Sequence, residues 1–191
     1  MILGVLLLLA LVSVPLAGGS LDKLTTVRLR FVGPVAVAFV VQILIVNVFP
    51  HGAPALHVAA HVATYVVILV AVGANLGLPG IPVLALGGFS NALAIWANGG
   101  VMPASDAALR TAGLTPDPEG FTNSGLVHEP RLAFLGDVFA TPASIPAANV
   151  FSVGDVLLVL GAFIFLHVVS ESRLGRWMKG LRLRPRVLAR S

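Results

Sequence analysis

Two histidines four positions apart are the side chains in this sequence best placed to bind a metal ion. His57 and His61 lie one helical turn apart in an apolar run, so their rings would share one face of a helix. Imidazole nitrogens together with a carboxylate commonly bind zinc, and His128, Glu129 and Asp137 could supply a third ligand. The histidine pair alone is a common pattern, and the sequence lacks a metalloprotease motif. We therefore expect histidines at a membrane interface, and neither a bound metal nor another cofactor.

Three amide side chains form a second candidate group. Asn91 and Asn98 project from one face of an apolar run, and Gln42 interrupts another such run. An amide surrounded by hydrocarbon needs a hydrogen-bond partner, so these side chains are predicted to face other helices. Two interpretations remain open. The amides either hold helices together, with Gln42 as a partner of Asn91, or line a polar cavity for a small solute.

Signatures of catalysis are otherwise missing from the sequence. It contains no cysteine, no GxSxG motif and no phosphate-binding or dinucleotide-binding glycine pattern. Ser90 and His167 are expected near the same side of the membrane, but no neighbouring motif supports a catalytic pair. The sequence therefore predicts no catalytic residue.

Five apolar runs must position these side chains. Charged residues make up 10% of the chain and apolar residues 57%, with a mean hydropathy of +0.97. A soluble domain has about a quarter charged residues. The runs cover approximately residues 2–16, 31–49, 56–72, 81–97 and 150–169. They predict an all-α polytopic membrane protein in which residues 1–191 form a single membrane domain with five transmembrane helices.

The basic residues predict how this domain is oriented. Lys23, Arg28 and Arg30 follow the first run, and seven more Lys and Arg residues follow the last. Because such residues mark the cytoplasmic side, we expect the N-terminus outside, the C-terminus inside, and the protein in the cytoplasmic membrane. Residues 98–149 then form one long outer loop, and residues 170–191 form a basic cytoplasmic tail that contacts anionic lipid rather than nucleic acid. No Lys or Arg precedes the first run, so we expect it to be retained rather than cleaved as a signal peptide.

Local signals also predict where helices begin and end. Gly99 and Gly100 follow an apolar run and precede a proline, which is typical of a helix C-terminus. Ser152 and Asp155 have the spacing of a capping box at the start of the fifth run. Ser105 is expected to cap a short helix that ends near Ala112.

Several of these segments recur in order in one protein family. They are residues 91–103 (NALAIWANGGVMP), 135–138 (LGDV) and 150–155 (VFSVGD), which contain the patterns NGGxMP and FSxGD. The chain resembles a bacterial family of small integral membrane proteins catalogued only as a domain of unknown function. The resemblance implies a protein with several membrane spans and carries no activity, substrate or catalytic residue.

Three classes of function follow from these features. The first is a non-enzymatic accessory or scaffold subunit that packs against another membrane protein or against a second copy. The second is a protein that binds or transports a small solute through Gln42, Asn91 and Asn98. The third is a metal-dependent enzyme on the outer face, with His57 and His61 as ligands.

Overall fold

The computed structural model describes residues 2–45, 54–115, 124–125, 127–146 and 148–182. The protein is mostly helical, with 67% helix and 5% strand, in agreement with the all-α class. The helices are α1 (Ile2–Leu16), α2 (Val32–Ile43), α3 (Pro54–Ala74), α4 (Ile81–Ala97), α5 (Asp106–Ala112), α6 (Val153–Val169) and α7 (Arg173–Arg182). The strands are β1 (Met102–Pro103), β2 (Ser124–Gly125), β3 (Phe139–Ala140) and β4 (Val150–Phe151).

The helices follow the predicted apolar runs closely at most boundaries. The bounds of α1 and α4 coincide with the predicted runs, and α3 is longer than its run by two residues at each end. From residue 46 onward, the predicted second run lies outside the described residues. Helix α6, which corresponds to the fifth apolar run, begins three residues later than predicted, because β4 pairs with β3 in an antiparallel ladder immediately before it.

The length of the helices bears on the predicted spans. Within the described residues, no single helix is both long enough and apolar enough to cross a membrane. Together, α6 and the first part of α7 pass by length and composition, but a bend of 98° separates them.

Glycines bring α4 and α6 into close antiparallel contact. Gly87 lies opposite Gly154, and Gly80 lies opposite Gly161. On both helices the two glycines are seven residues apart, so the same close approach recurs after two turns. A side chain at Gly87 would begin 2.6 Å from the carbonyl oxygen of Gly154. Only glycine fits this contact.

Hydrogen bonds join several connecting segments at one end of the helices. The backbone amide of Ser20, after α1, donates to the carbonyl of Ser170, after α6, over 3.0 Å. Asn75, between α3 and α4, exchanges two 3.0 Å hydrogen bonds with the backbone of Arg30, before α2. The basic segment after α1 and the start of α7 therefore lie at the same end.

The segment between α4 and α6 forms a small ordered unit at the other end. Ser105 caps α5 by accepting a hydrogen bond from the amide of Ala108 at 3.2 Å, which confirms the predicted helix. Gly99 and Gly100, with φ of 68° and 98°, end α4 as predicted. The unit has its own apolar core, made of Ala104, Ala108, Leu109, Ala112 and Val150.

Candidate functional site

A closed hydrogen-bond network joins α4 to the start of α6. The amide nitrogen of Asn91 donates to Asp155 Oδ1, and the Ser152 hydroxyl donates to Asn91 Oδ1, both at 2.8 Å. Ser152 Oγ also accepts from the Asp155 amide, and Asp155 Oδ2 accepts from the Ser152 amide, both at 3.0 Å. This reciprocal pair is the predicted capping box. The network thus combines a helix cap with an interhelical bond.

Both glycine packing and capping position this network. Gly154 lies one turn before Leu158 on the face of α6 that contacts α4, and its missing side chain leaves room for the Asn91 amide. Ser152 is fully buried, so its hydroxyl requires the partners it has. Both oxygens of Asp155 accept hydrogen bonds, and the carboxylate lies at the positive end of α6. The arrangement holds the two helices in register, with the Ser152 hydroxyl donating to Asn91 Oδ1.

A cavity lies between the α2–α3 hairpin and the α4–α6 pair. Its volume is about 400 Å³, and its wall is mainly apolar. Polar atoms enter that wall from Gln42 on α2, Tyr65 on α3 and Asn91 on α4. The Gln42 amide nitrogen donates to the hydroxyl of Thr64. The hydrogen bonds of Asn91 run to Ser152 and Asp155, so Gln42 and Asn91 share a cavity but not the hydrogen bond proposed from the sequence.

Asn98, the third predicted amide, has a different place in the structure. Its Nδ2 donates to the carbonyls of Ala94 and Arg131, and its Oδ1 accepts from the amide of Arg131, all at 2.8 Å. Asn98 therefore fastens the segment between α4 and α6 to the end of α4, and it is not among the residues lining the cavity. The three amides do not form one cluster, because two turns of helix separate Asn98 from Asn91.

The predicted metal ligands receive little support from the part of the chain that the structure describes. His57 and His61 belong to α3, but their side chains lie outside the described residues. Asp137 is buried, whereas His128 and Glu129 are exposed. No group of three or more potential ligands is assembled among the described side chains. The absence of a bound metal remains a prediction.

His167 is a buried polar centre that the sequence analysis did not identify in this role. Its Nε2 lies 2.9 Å from Ser13 Oγ on α1, and its Nδ1 lies 2.7 Å from Ser172 Oγ just before α7. Ser13 Oγ also lies within hydrogen-bond distance of the carbonyl oxygen of Ala10, at 2.8 Å. Ser90, the serine considered from the sequence, donates instead to the carbonyl of Leu86. His167 thus links α1 and α7 to α6. The serines that follow α6 were the sequence signal that could have indicated this role.

An ion pair lies near this end of the helices. Lys23 donates to the carboxylate of Glu171, and both side chains are about half exposed. The hydrogen bond from Lys23, together with the charge of that ammonium group, holds the pKa of Glu171 below its ordinary value. Arg176 donates to the carbonyl oxygen of the same residue. These contacts attach α7 to the segment after α1.

Fold and site together define a protein of antiparallel apolar helices, held by a glycine contact and a buried amide–carboxylate network beside a small cavity. The chain belongs to DUF5317, a family of unknown function, whose sequence profile matches residues 26–167. The match includes Gln42, Asn91 and Asn98, whereas α1 and α7 lie outside it. No curated protein and no solved structure shows significant similarity to the chain.

Proposed function

We propose that this protein is a non-enzymatic integral membrane protein of the cytoplasmic membrane, and that it binds a small, mainly apolar molecule between its helices. The observation that carries the binding function is the cavity of about 400 Å³ beside Gln42, Tyr65 and Asn91. Small-molecule sites are typically apolar concavities with a few polar groups that orient the ligand. A ligand with one hydroxyl, carbonyl or amide group would match this wall.

Exposed apolar side chains support the membrane location. Large apolar residues are exposed along α1, α2 and α4, including Leu16 at 82% and Trp96 at 81%. In water such a surface would be unfavourable, because each square ångström of exposed apolar surface costs roughly 25 cal/mol. In a bilayer the same apolar surface would contact lipid chains, without this cost.

The arrangement of the helix ends supports five alternating crossings, and the basic residues at the end they share favour the N-terminus outside. The segment after α1, the α3–α4 turn and the start of α7 share one end, as alternating crossings require. At about 1.5 Å per residue, the 17 residues of α4 extend about 26 Å, slightly less than a hydrocarbon core of about 30 Å. Local thinning of the bilayer would accommodate this difference.

Cysteine labelling tests the topology. Because the chain has no cysteine, each introduced cysteine is the only labelling site in the protein. Thr115→Cys, in the segment between α4 and α6 (the outer segment), should react with a membrane-impermeant maleimide in intact cells. Thr25→Cys, in the basic segment after α1, should react only after the cells are opened. Labelling of Thr25→Cys in intact cells would contradict the proposed orientation.

A pair of variants tests the binding function. Ala85 lines the cavity on α4, and Ala63 lines a separate groove on the α2–α3 hairpin. Protein purified in mild detergent should carry a small molecule that mass spectrometry detects in an organic extract. Ala85→Phe should fill the cavity and lose this molecule, whereas Ala63→Phe should retain it. Equal retention by wild type and Ala85→Phe would contradict binding in the cavity.

A groove on the α2–α3 hairpin favours a second candidate function, that of an accessory subunit. The groove has a volume of about 530 Å³ and is lined by small or β-branched side chains, among them Ala38, Ala60, Ala63 and Thr64. Small residues allow close approach of a helix from a partner protein or a second copy. Cross-linking in native membranes tests this function. Ala63→Phe should abolish the cross-linked product, while Ala85→Phe should preserve it.

A further inference from the structure

Helix α7 combines a row of cations with an exposed apolar face. Arg173, Arg176 and Lys179 recur every third residue and are exposed. Leu174 and Trp177 recur with the same spacing and are exposed at 43% and 65%. At about 100° per residue, the centre of the cationic row lies roughly 130° around the helix from that of Leu174 and Trp177, and Arg173 borders Trp177. All five side chains are exposed, and Arg176 also donates to the carbonyl oxygen of Glu171.

Contacts at the start of α7 hold it nearly perpendicular to α6. The backbone amide of Arg173 donates to the carbonyl of Ala17 over 2.9 Å. The amide of Gly175 donates to the hydroxyl of Ser172 over 3.0 Å, and a side chain at Gly175 would collide with the carbonyl of His167. The resulting bend between the two helices is 98°. If α6 crosses the bilayer, α7 must run along its surface.

Charge at this end of the molecule matches an anionic surface. Lys23 pairs with Glu171, the acid next to α7, and so offsets its charge. Among the residues of this end whose side chains the structure describes, six cations stand against two acids: Lys23, Arg28, Arg30, Arg173, Arg176 and Lys179 against Asp22 and Glu171. Basic groups near the cytoplasmic leaflet are attracted to acidic phospholipids. A helix with Trp and Leu on one face and cations on another is typical of the membrane interface.

We propose that α7 lies in the cytoplasmic surface of the bilayer and binds anionic phospholipids. Leu174 and Trp177 enter the boundary between headgroups and acyl chains, and Arg173, Arg176 and Lys179 contact the lipid phosphates. This inference rests on the proposed membrane location and is independent of a ligand in the cavity. It assigns a lipid-binding surface to residues beyond the matched family region.

Tryptophan quenching tests the proposal, because the chain has two tryptophans at separate places. In Trp96→Phe the fluorescence reports on Trp177, and in Trp177→Phe it reports on Trp96 near the end of α4. The full-length variants are reconstituted in phosphatidylcholine vesicles that contain either brominated phosphatidylcholine or brominated phosphatidylglycerol. We expect Trp177 to be quenched more strongly by the anionic lipid.

Two variants that remove equal charge test whether the cations of α7 produce the preference for anionic lipid. Replacing Arg173 and Lys179 by Gln should lower the preference of the Trp177 site for phosphatidylglycerol by roughly fivefold per cation removed. Replacing Arg110 and Arg131, two exposed cations of the outer segment, should leave the preference unchanged. Raising the salt concentration should weaken the preference of the unmodified cationic helix, which provides a test that needs no substitution.

The outcomes separate this inference from the membrane proposal. Quenching of Trp96 without quenching of Trp177 would overturn the inference and leave the membrane location intact. Equal quenching of Trp177 by both lipids would overturn binding of anionic lipid. If neither tryptophan is quenched, the membrane location and the inference both fall.

Discussion

Replacing Gly87 by alanine should destabilise the protein, although alanine favours helix formation. A Cβ atom at this position would lie 2.6 Å from the carbonyl oxygen of Gly154 and 2.8 Å from the amide nitrogen of Leu158. Both are backbone atoms of α6, so no side-chain rotation can relieve the overlap. Ordinary contacts of a Cβ atom begin near 3.4 Å. The two helices must therefore move apart by several tenths of an ångström.

The expected loss combines three terms. Overpacking of a close contact costs about 1–3 kcal/mol. The same movement lengthens the hydrogen bonds from Asn91 to Asp155 and from Ser152 to Asn91, each worth about 0.6 kcal/mol within a membrane. Alanine offsets about 1 kcal/mol of this loss through its higher helix propensity. The net decrease in the free energy of unfolding is about 1–3 kcal/mol.

The neighbouring glycine provides the control. A Cβ atom at Gly88 would have its nearest contact at 4.0 Å, with a flexible methyl group of Leu158. Gly88→Ala should therefore leave stability unchanged or raise it by up to about 1 kcal/mol. Both variants can be unfolded from mild-detergent micelles by adding sodium dodecyl sulfate, with circular dichroism reporting helix loss. Equal stability of the two variants would refute the close α4–α6 contact.

Three further results are expected. Asn91→Ala and Ser152→Ala should each cost about 0.6–2 kcal/mol, and the double variant should cost less than their sum, as a double-mutant cycle of unfolding can measure. His167→Phe should remove one hydrogen bond from each of two serine hydroxyls, cost about 1–3 kcal/mol, and accelerate proteolysis near α7. Because the folded-state pKa of Glu171 is lowered, its ion pair should stabilise the protein above an unfolded-state pKa of about 4.3. That stabilisation should vanish as the pH falls through the folded-state pKa. In an NMR titration, Lys23→Met should raise the pKa of Glu171.

The sequence predicts the helix ends well because local chemistry determines them. Ser152 with Asp155, and Ser105 before α5, have the residue types and spacing that satisfy the first amides of a helix. Gly99 and Gly100 supply the positive φ at which α4 stops. Each of these signals lies within a few residues, so no tertiary information is needed.

The partners across the structure could not be predicted in the same way. One of the two interpretations from the sequence pairs Asn91 with Gln42, but Asn91 bonds the capping residues of α6 because the antiparallel register places Gly154 beside it. That register depends on which glycines face each other, and the chain has 20 glycines. The seven-residue spacing of Gly80 and Gly87, matched by that of Gly154 and Gly161, was the signal that could have revealed it. Similarly, only a basic tail was predicted from the sequence where the structure has α7. The three-residue spacing of the cations in α7 was the signal for a helix there.

The contacts divide the helices into a tightly joined part and a more loosely joined part. Asn91 in the second half of α4 and Gly80 just before its start fix this helix against α6. His167 adds α1 and α7 to that pair. The α2–α3 hairpin makes its main contacts within itself, including the bond from Gln42 to Thr64, and makes fewer contacts with α4. The cavity lies along this weaker boundary. A molecule could therefore enter by displacement of the hairpin, without breaking the glycine contact or the buried network of α4 and α6.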